Sequence, residues 1–149
     1  LNRINADQLE GVPLTDNEFQ QVLSKVKQIS NSYEASKILA MEESKGKIDG
    51  IYRDKNENIT RNQITLTIFK KAEISGGDSS YKIAREVVSS NNNRFDIVLL
   101  INGLPLINVE QKRTDKTLEE AFGQFKRYYI DGEYSYNFMA FSQMMVIVS

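Results

Sequence analysis

The chain has 149 residues, 40% hydrophobic and 26% charged, with a formal net charge of −1, a profile suited to one soluble domain that buries its own core. It contains no Cys and no His, which removes disulfides, zinc sites of Cys/His type, cysteine nucleophiles and any mechanism with a histidine base. Chemistry is left to carboxylates, Lys, Tyr, Ser/Thr or a bound metal, and carboxylate sites favour hard ions such as magnesium, with manganese as a substitute.

The near-neutral charge weighs against a stand-alone nucleic-acid-binding module unless partners supply most of the grip. No apolar run reaches the roughly 20 residues of a membrane span. The opening LNRINADQLEG lacks the basic and apolar regions of a signal peptide. The lack of Cys fits a cytoplasmic location. Because the chain opens on Leu and its closing MMVIVS reads as a buried strand cut short, the expectation is a piece of a longer protein, organised as a single domain over residues 1–149.

In chain order, a first helix is expected from about Asp16 to Ile29. Thr15 or Asp16 caps it, and Phe19, Val22, Leu23, Val26 and Ile29 recur at helical spacing. A second runs from about Tyr33 to Glu43 and stops at Gly46. KGKIDGIYRDKNENITRN (45–62) reads as loop with one short strand at most. QITLTI (63–68) alternates as a half-buried strand. SGGDSS (75–80) and SSNNN (89–93) are loops, and YKIAREVV (81–88) fits either a strand or a short helix. RFDIVLLI (94–101) is an almost continuous apolar run, the pattern of a strand buried on both faces. Asn102-Gly103 is a hairpin turn pair, and LPLINVEQK (104–112) is the returning strand, with Pro105 tolerated at its start or at a bulge. A polar break at 113–117 precedes a helix from Leu118 to about Ile130, with Leu118, Ala121, Phe122, Phe125 and Tyr129 on or near one stripe, stopped by Asp131-Gly132. The terminal apolar run supplies a further strand of the same sheet. No repeat or linker divides the chain.

Three charged residues stand where burial should discourage them: Asp96, Glu110 and Lys112. An unpaired charge beside an apolar strand is costly; mutual pairing and a divalent cation offset that cost. Carboxylates holding a metal lower the pKa of a bound water, and Lys112 is suited to position that water and to stabilise charge building on a phosphate. Glu110 and Lys112, two apart on a strand, share a face. Glu-x-Lys alone is weak, since Glu43-Ser44-Lys45 also satisfies it, but that copy sits at the polar end of a helix with no acid on a neighbouring strand. A strict two-residue turn pairs Ile101 with Leu104, and therefore Asp96 with Val109, on the face opposite Glu110. Convergence requires one extra residue, for instance a bulge at Gly103.

RFDIVLLINGLPLINVEQKR followed by EEAFGQFKRY resembles the N-terminal nuclease domain of type I restriction enzyme endonuclease (R) subunits, a PD-(D/E)xK family. The similarity is clear over about Arg94–Tyr128 and weaker in QMMVIVS. It implies an α/β fold, a restriction-endonuclease-like mixed β-sheet flanked by helices. It implies Asp96 and Glu110 as metal ligands, with the Gln111 backbone carbonyl as an additional one, and Asp96, Glu110 and Lys112 as the catalytic set, acting with Mg2+ or Mn2+. Family members usually carry a nonpolar residue where Gln111 stands. The fold often adds an upstream helical glutamate, a place Glu18 is free to fill. Gln124-x-x-x-Tyr128 resembles a Q-x-x-x-Y element of related nucleases; at i, i+4 the two side chains share a helix face, where they meet DNA or support Lys112.

The resemblance further implies double-stranded DNA as substrate, methylation and specificity subunits as partners, and ATP use by motor domains of the full subunit. No G-x-x-x-x-G-K-[ST] phosphate loop lies in these residues. Two other readings stay open: a non-catalytic nucleic-acid-binding or docking domain that retains the fold, and a structural domain in which the hairpin acids are exposed strand ends. Lys126 and Arg127 are read as a solvated face that is also within reach of phosphates. Lys112, Arg113 and Lys116 add positive charge, diluted by Asp115, Glu119 and Glu120.

Overall fold

The computed structural model describes residues 1–40, 45–74, 76–112 and 117–148. Its first helix, α1 (Asp16–Val26), begins at a capping box: the Thr15 side chain accepts from the Glu18 backbone N–H while the Glu18 carboxylate accepts from the Thr15 N–H. Such reciprocal capping satisfies two orphan donors of the first turn. The helix ends three residues before the expected Ile29, which is still buried in the core below it. The second, α2, is described over Ser32–Ala40; the remainder of the expected stretch, including Glu43 and Ser44, lies outside the described residues. Gly46 follows with φ +66°, its N–H bonded to the Ile38 carbonyl at 2.9 Å, and a Cβ there would stand 1.9 Å from the Phe69 carbonyl oxygen. Only glycine fits that approach.

Two sheets follow. The polar segment after Gly46 does contain one short strand, β1 (Lys47–Tyr52), antiparallel to β2 (Gln63–Thr67). The second sheet has the order β3 (Tyr81–Val88), β4 (Arg94–Ile101), β5 (Leu104–Gln111) and β6 (Met144–Val148). Its first three strands are antiparallel and β6 lies parallel to β5, reached through α3 (Leu118–Ile130), which Thr117 opens with a second capping box. The architecture is therefore a mixed α/β one, with a mixed sheet flanked by helices. The ambiguous segment 81–88 is a strand. Among the described residues no helix is long and apolar enough to cross a membrane.

Burial departs from the hydropathy pattern in three places. On β4 only Phe95 and Val98 are buried, and the other apolar residues are half-buried, because one face of this sheet is open where Tyr81, Ile83, Leu99, Ile101 and Ile107 border an apolar hollow. On α3 the buried residues are Ala121, Phe125 and Tyr128, while Leu118, Phe122 and Tyr129 are exposed. The closing strand β6 is likewise exposed along much of its length. A long apolar run reports the capacity to be covered, not the presence of a cover.

The β4–β5 hairpin joins two cores. Leu104 and Leu106 pack with the helices α1 and α2 and the β1–β2 sheet, whereas Phe95 and Val98 pack under α3 with Phe125, Tyr128, Tyr134 and Met139. Past α3, the buried Glu133 carboxylate accepts from Asn93 Nδ2 (2.8 Å) and Ser89 Oγ (2.5 Å), tying the β3–β4 loop to the helix end. The first core is closed by an ion pair: Arg53 Nε donates to Glu18 Oε1 at 3.0 Å, with both side chains at 1% exposure or less. The Asp54 N–H donates to the same oxygen at 2.7 Å, and Arg53 also reaches the carbonyls of Leu9 and Val12.

Truncating one member of such a pair leaves an uncompensated buried charge. Glu18→Ala should therefore cost about 3–5 kcal/mol, read as a fall in the denaturant midpoint. A loss within the range of a surface substitution would show that the pair is not needed to hold α1 on β1.

Candidate active site

The turn Asn102-Gly103 is a tight two-residue one, with φ of +52° and +85° and Ile101 paired to Leu104. Both residues in the left-handed region match a type I′ turn, for which Asn-Gly is favoured. The bulge expected at Gly103 is not there. The register shifts instead between Leu99 and Leu100: Leu100 pairs with Pro105 and Leu99 with Ile107, so Leu106 is the extra residue. Pro105 has no N–H to give to the ladder, which makes this the cheap place for an irregularity. From there Ile97 pairs with Val109, and one further step sets Asp96 opposite Glu110. The required residue is present, three positions beyond the turn.

The three hairpin residues come together. Lys112 Nζ donates to Glu110 Oε1 at 2.7 Å, with side-chain exposures of 18% and 4%. The Gln111 N–H donates to Asp96 Oδ2 at 2.9 Å, locking the first acid to the strand that carries the second. Burial pushes the Glu110 carboxyl above its ordinary value; the Lys112 hydrogen bond opposes that rise and the neighbouring Asp96 charge adds to it. Two carboxylates held together on the two central strands of the sheet, one of them desolvated, form a hard-oxygen donor set with more negative charge than a single ammonium balances. That is the chemistry a divalent cation fits. Among the described residues no third Asp, Glu, His or Cys joins them.

Of the two helix residues expected to support Lys112, Gln124 touches it directly and Tyr128 reaches it through Gln124. Lys112 Nζ donates to Gln124 Oε1 at 2.6 Å, Gln124 Nε2 donates to the Tyr128 hydroxyl at 2.7 Å, and that hydroxyl donates to the Arg94 carbonyl at 2.6 Å. A continuous run of hydrogen bonds thus leads from the end of β5 across α3 to the start of β4. Tyr128 is buried, its ring 4.9 Å from that of Phe95, so the run is anchored in the core. Lys126 and Arg127 are exposed, Arg127 lying over the Tyr128 ring at 5.6 Å. Arg113, Asp115 and Lys116 lie outside the described residues.

Glu18 does not join the site: both of its oxygens are used by Arg53, the Asp54 N–H and the Thr15 N–H. Gln111, at a position usually nonpolar in the resembled family, is exposed and strains nothing. Asp96 and Lys112 open onto a cleft of about 630 Å³ lined also by Gln111, by Arg94 of β4 and by Arg85 and Glu86 of the edge strand β3. Arg85 and Glu86 carry no motif, and only the strand register brings them here.

Residues 1–149 match the family model described as type I restriction enzyme R protein N terminus. The chain is 35% identical over 130 residues to the type I restriction enzyme SauCOLORF180P endonuclease subunit of Staphylococcus aureus, covering 86% of this chain and 12% of that protein. It is 32% identical over 130 residues to the SsaAORF53P endonuclease subunit of Staphylococcus saprophyticus, with the same coverage. It is 34% identical over 83 residues to the EcoprrI endonuclease subunit of Escherichia coli, covering 56% of this chain and 22% of that protein. The chain thus spans about an eighth of the staphylococcal relatives it matches. It belongs to the family formed by the N-terminal region of type I restriction enzyme R proteins.

Proposed function

We propose that this chain is the DNA-cleaving domain of a type I restriction endonuclease subunit, a single domain that hydrolyses phosphodiester bonds of double-stranded DNA with Mg2+, or Mn2+ in its place. The observation that carries the reading is the meeting of Asp96, Glu110 and Lys112 at the mouth of a basic-rimmed cleft. Asp96 and Glu110 would hold the ion, which supplies Lewis-acid polarisation of the phosphate and a nucleophile at neutral pH. Lys112 holds its ammonium where negative charge develops as water adds to phosphorus and the ester oxygen leaves. Gln124 and Tyr128 fix the rotamer of that lysine and so act as positioning residues. The rest of the subunit would supply ATP-driven translocation, separate subunits methylation and sequence recognition, and the cytoplasm the setting.

A non-catalytic docking or nucleic-acid-binding domain is the second reading, favoured by the limitation of the acid set to two carboxylates among the described residues. Cutting by the assembled enzyme separates the two. Glu110→Ala and Lys112→Ala should each abolish DNA cleavage, by at least about a hundredfold, while ATP turnover continues; undiminished cutting by either variant would sink the nuclease reading. Tyr128→Phe removes one brace of Lys112 and should slow cutting by about tenfold, measured in the same assay.

The raised Glu110 carboxyl gives a second check. A folded-state value above the unfolded one means that this group contributes stability below the ordinary carboxylate range and loses it as pH rises through the raised value. Glu110→Gln should accordingly melt at or above the wild-type temperature at neutral pH without divalent ions. Added magnesium should then raise the melting temperature of the wild type and leave the variant unchanged. A variant that melts well below wild type would show the acid to be structural.

A further inference from the structure

Resting on that reading, the geometry points to Arg85, on the edge strand β3, as a phosphate-contacting residue that holds the DNA strand beside the scissile bond, with Glu86 restraining its neighbour Arg94. In a regular strand consecutive side chains point to opposite faces. Here Arg85 and Glu86 both border the cleft that Asp96 and Lys112 line. Glu86 has φ +52°, a conformation that non-glycine residues rarely adopt and that breaks the alternation at this point. The flanking pairs Arg85–Ile97 and Val87–Phe95 keep the register, so Glu86 stands across from Asp96.

The two arginines of the rim differ in their partners. Arg94 Nη2 donates to Glu86 Oε1 at 2.7 Å, with both side chains more than half exposed. Arg85 is exposed, and among the described residues no acid pairs with it. One guanidinium is thus neutralised and the other presents its full charge to the cleft. Its strand is two spacings from β5, roughly 10 Å, which sets the guanidinium to the side of the phosphate that faces Lys112. The guanidinium fork suits a neighbouring phosphate of the same backbone.

The test uses complexes containing the full-length subunit, cutting plasmid DNA at salt from about 50 to about 200 mM, with thermal unfolding as a fold control. Arg85→Gln should cut near the wild-type rate at the low end, where binding saturates and hides the lost contact, and about five- to tenfold more slowly at the high end, where the weaker binding limits the rate. Arg85→Lys should recover much of the rate. Glu86→Gln, by freeing Arg94 and removing an anion from the rim, should shift the salt tolerance of cutting upward. Wild-type cutting by Arg85→Gln at every salt, or a loss that is equal at all salts and unrelieved by Lys, would overturn the assignment while leaving the nuclease reading intact. Normal cutting by Glu110→Ala in the same series would overturn both.

Discussion

Asp96 and Glu110 meet because β5 holds one residue more than its partner strand requires. With a side-chain period of two, a single added residue moves every later position of the strand to the other face. Leu106 is that residue. It lets a tight Asn-Gly turn, good for folding, coexist with a convergence of acids that the same turn would otherwise forbid. Pro105, unable to donate to the ladder, marks the place where the interruption costs least. Remove the extra residue and Asp96 would oppose Val109, leaving Glu110 buried beside Lys112 with no second carboxylate.

The rest of the site rests on that register. Once Glu110 faces α3, Lys112 does too, and the helix supplies Gln124 and Tyr128 at the spacing that stacks their side chains on one stripe. The hydrogen bonds from Lys112 to the Arg94 carbonyl close a loop between the two strands of the hairpin through the helix. Such bracing matters because a lysine has four rotatable bonds, and an unbraced ammonium spends little time at one point. The capping box at Thr117 fixes where the helix begins, and the Glu133 contacts beyond its end tie it to the β3–β4 loop.

Two buried glutamates illustrate how neighbours decide the use of a carboxylate. Glu18 is enclosed by donors on both oxygens, including a guanidinium, and its charge is balanced locally. Glu110 is desolvated by burial and faces one ammonium and another carboxylate, and its carboxyl is held above its ordinary value. The first arrangement holds two segments of chain together. The second is under-compensated, which destabilises the free protein slightly and leaves binding capacity for a cation.

By itself the sequence determined the hairpin turn, the capped helix α1, the helix α3 and the strand at 63–67, because each depends on local periodicity, capping or turn chemistry within a few residues; the two acids and the amine stood out as charges beside apolar strands, and the Gln/Tyr pair through the family resemblance. It also carried the requirement for one irregular residue, since face alternation is a counting rule. Only the tertiary structure decided where that residue sits, that 81–88 pairs as an edge strand, that Glu18 is claimed by Arg53, and that the outer faces of β4, α3 and β6 are open. It alone brought Arg85 and Glu86 to the cleft. Those outcomes depend on which distant segment lies across from each side chain, and pairing partners leave no trace in the spacing of residues along one strand.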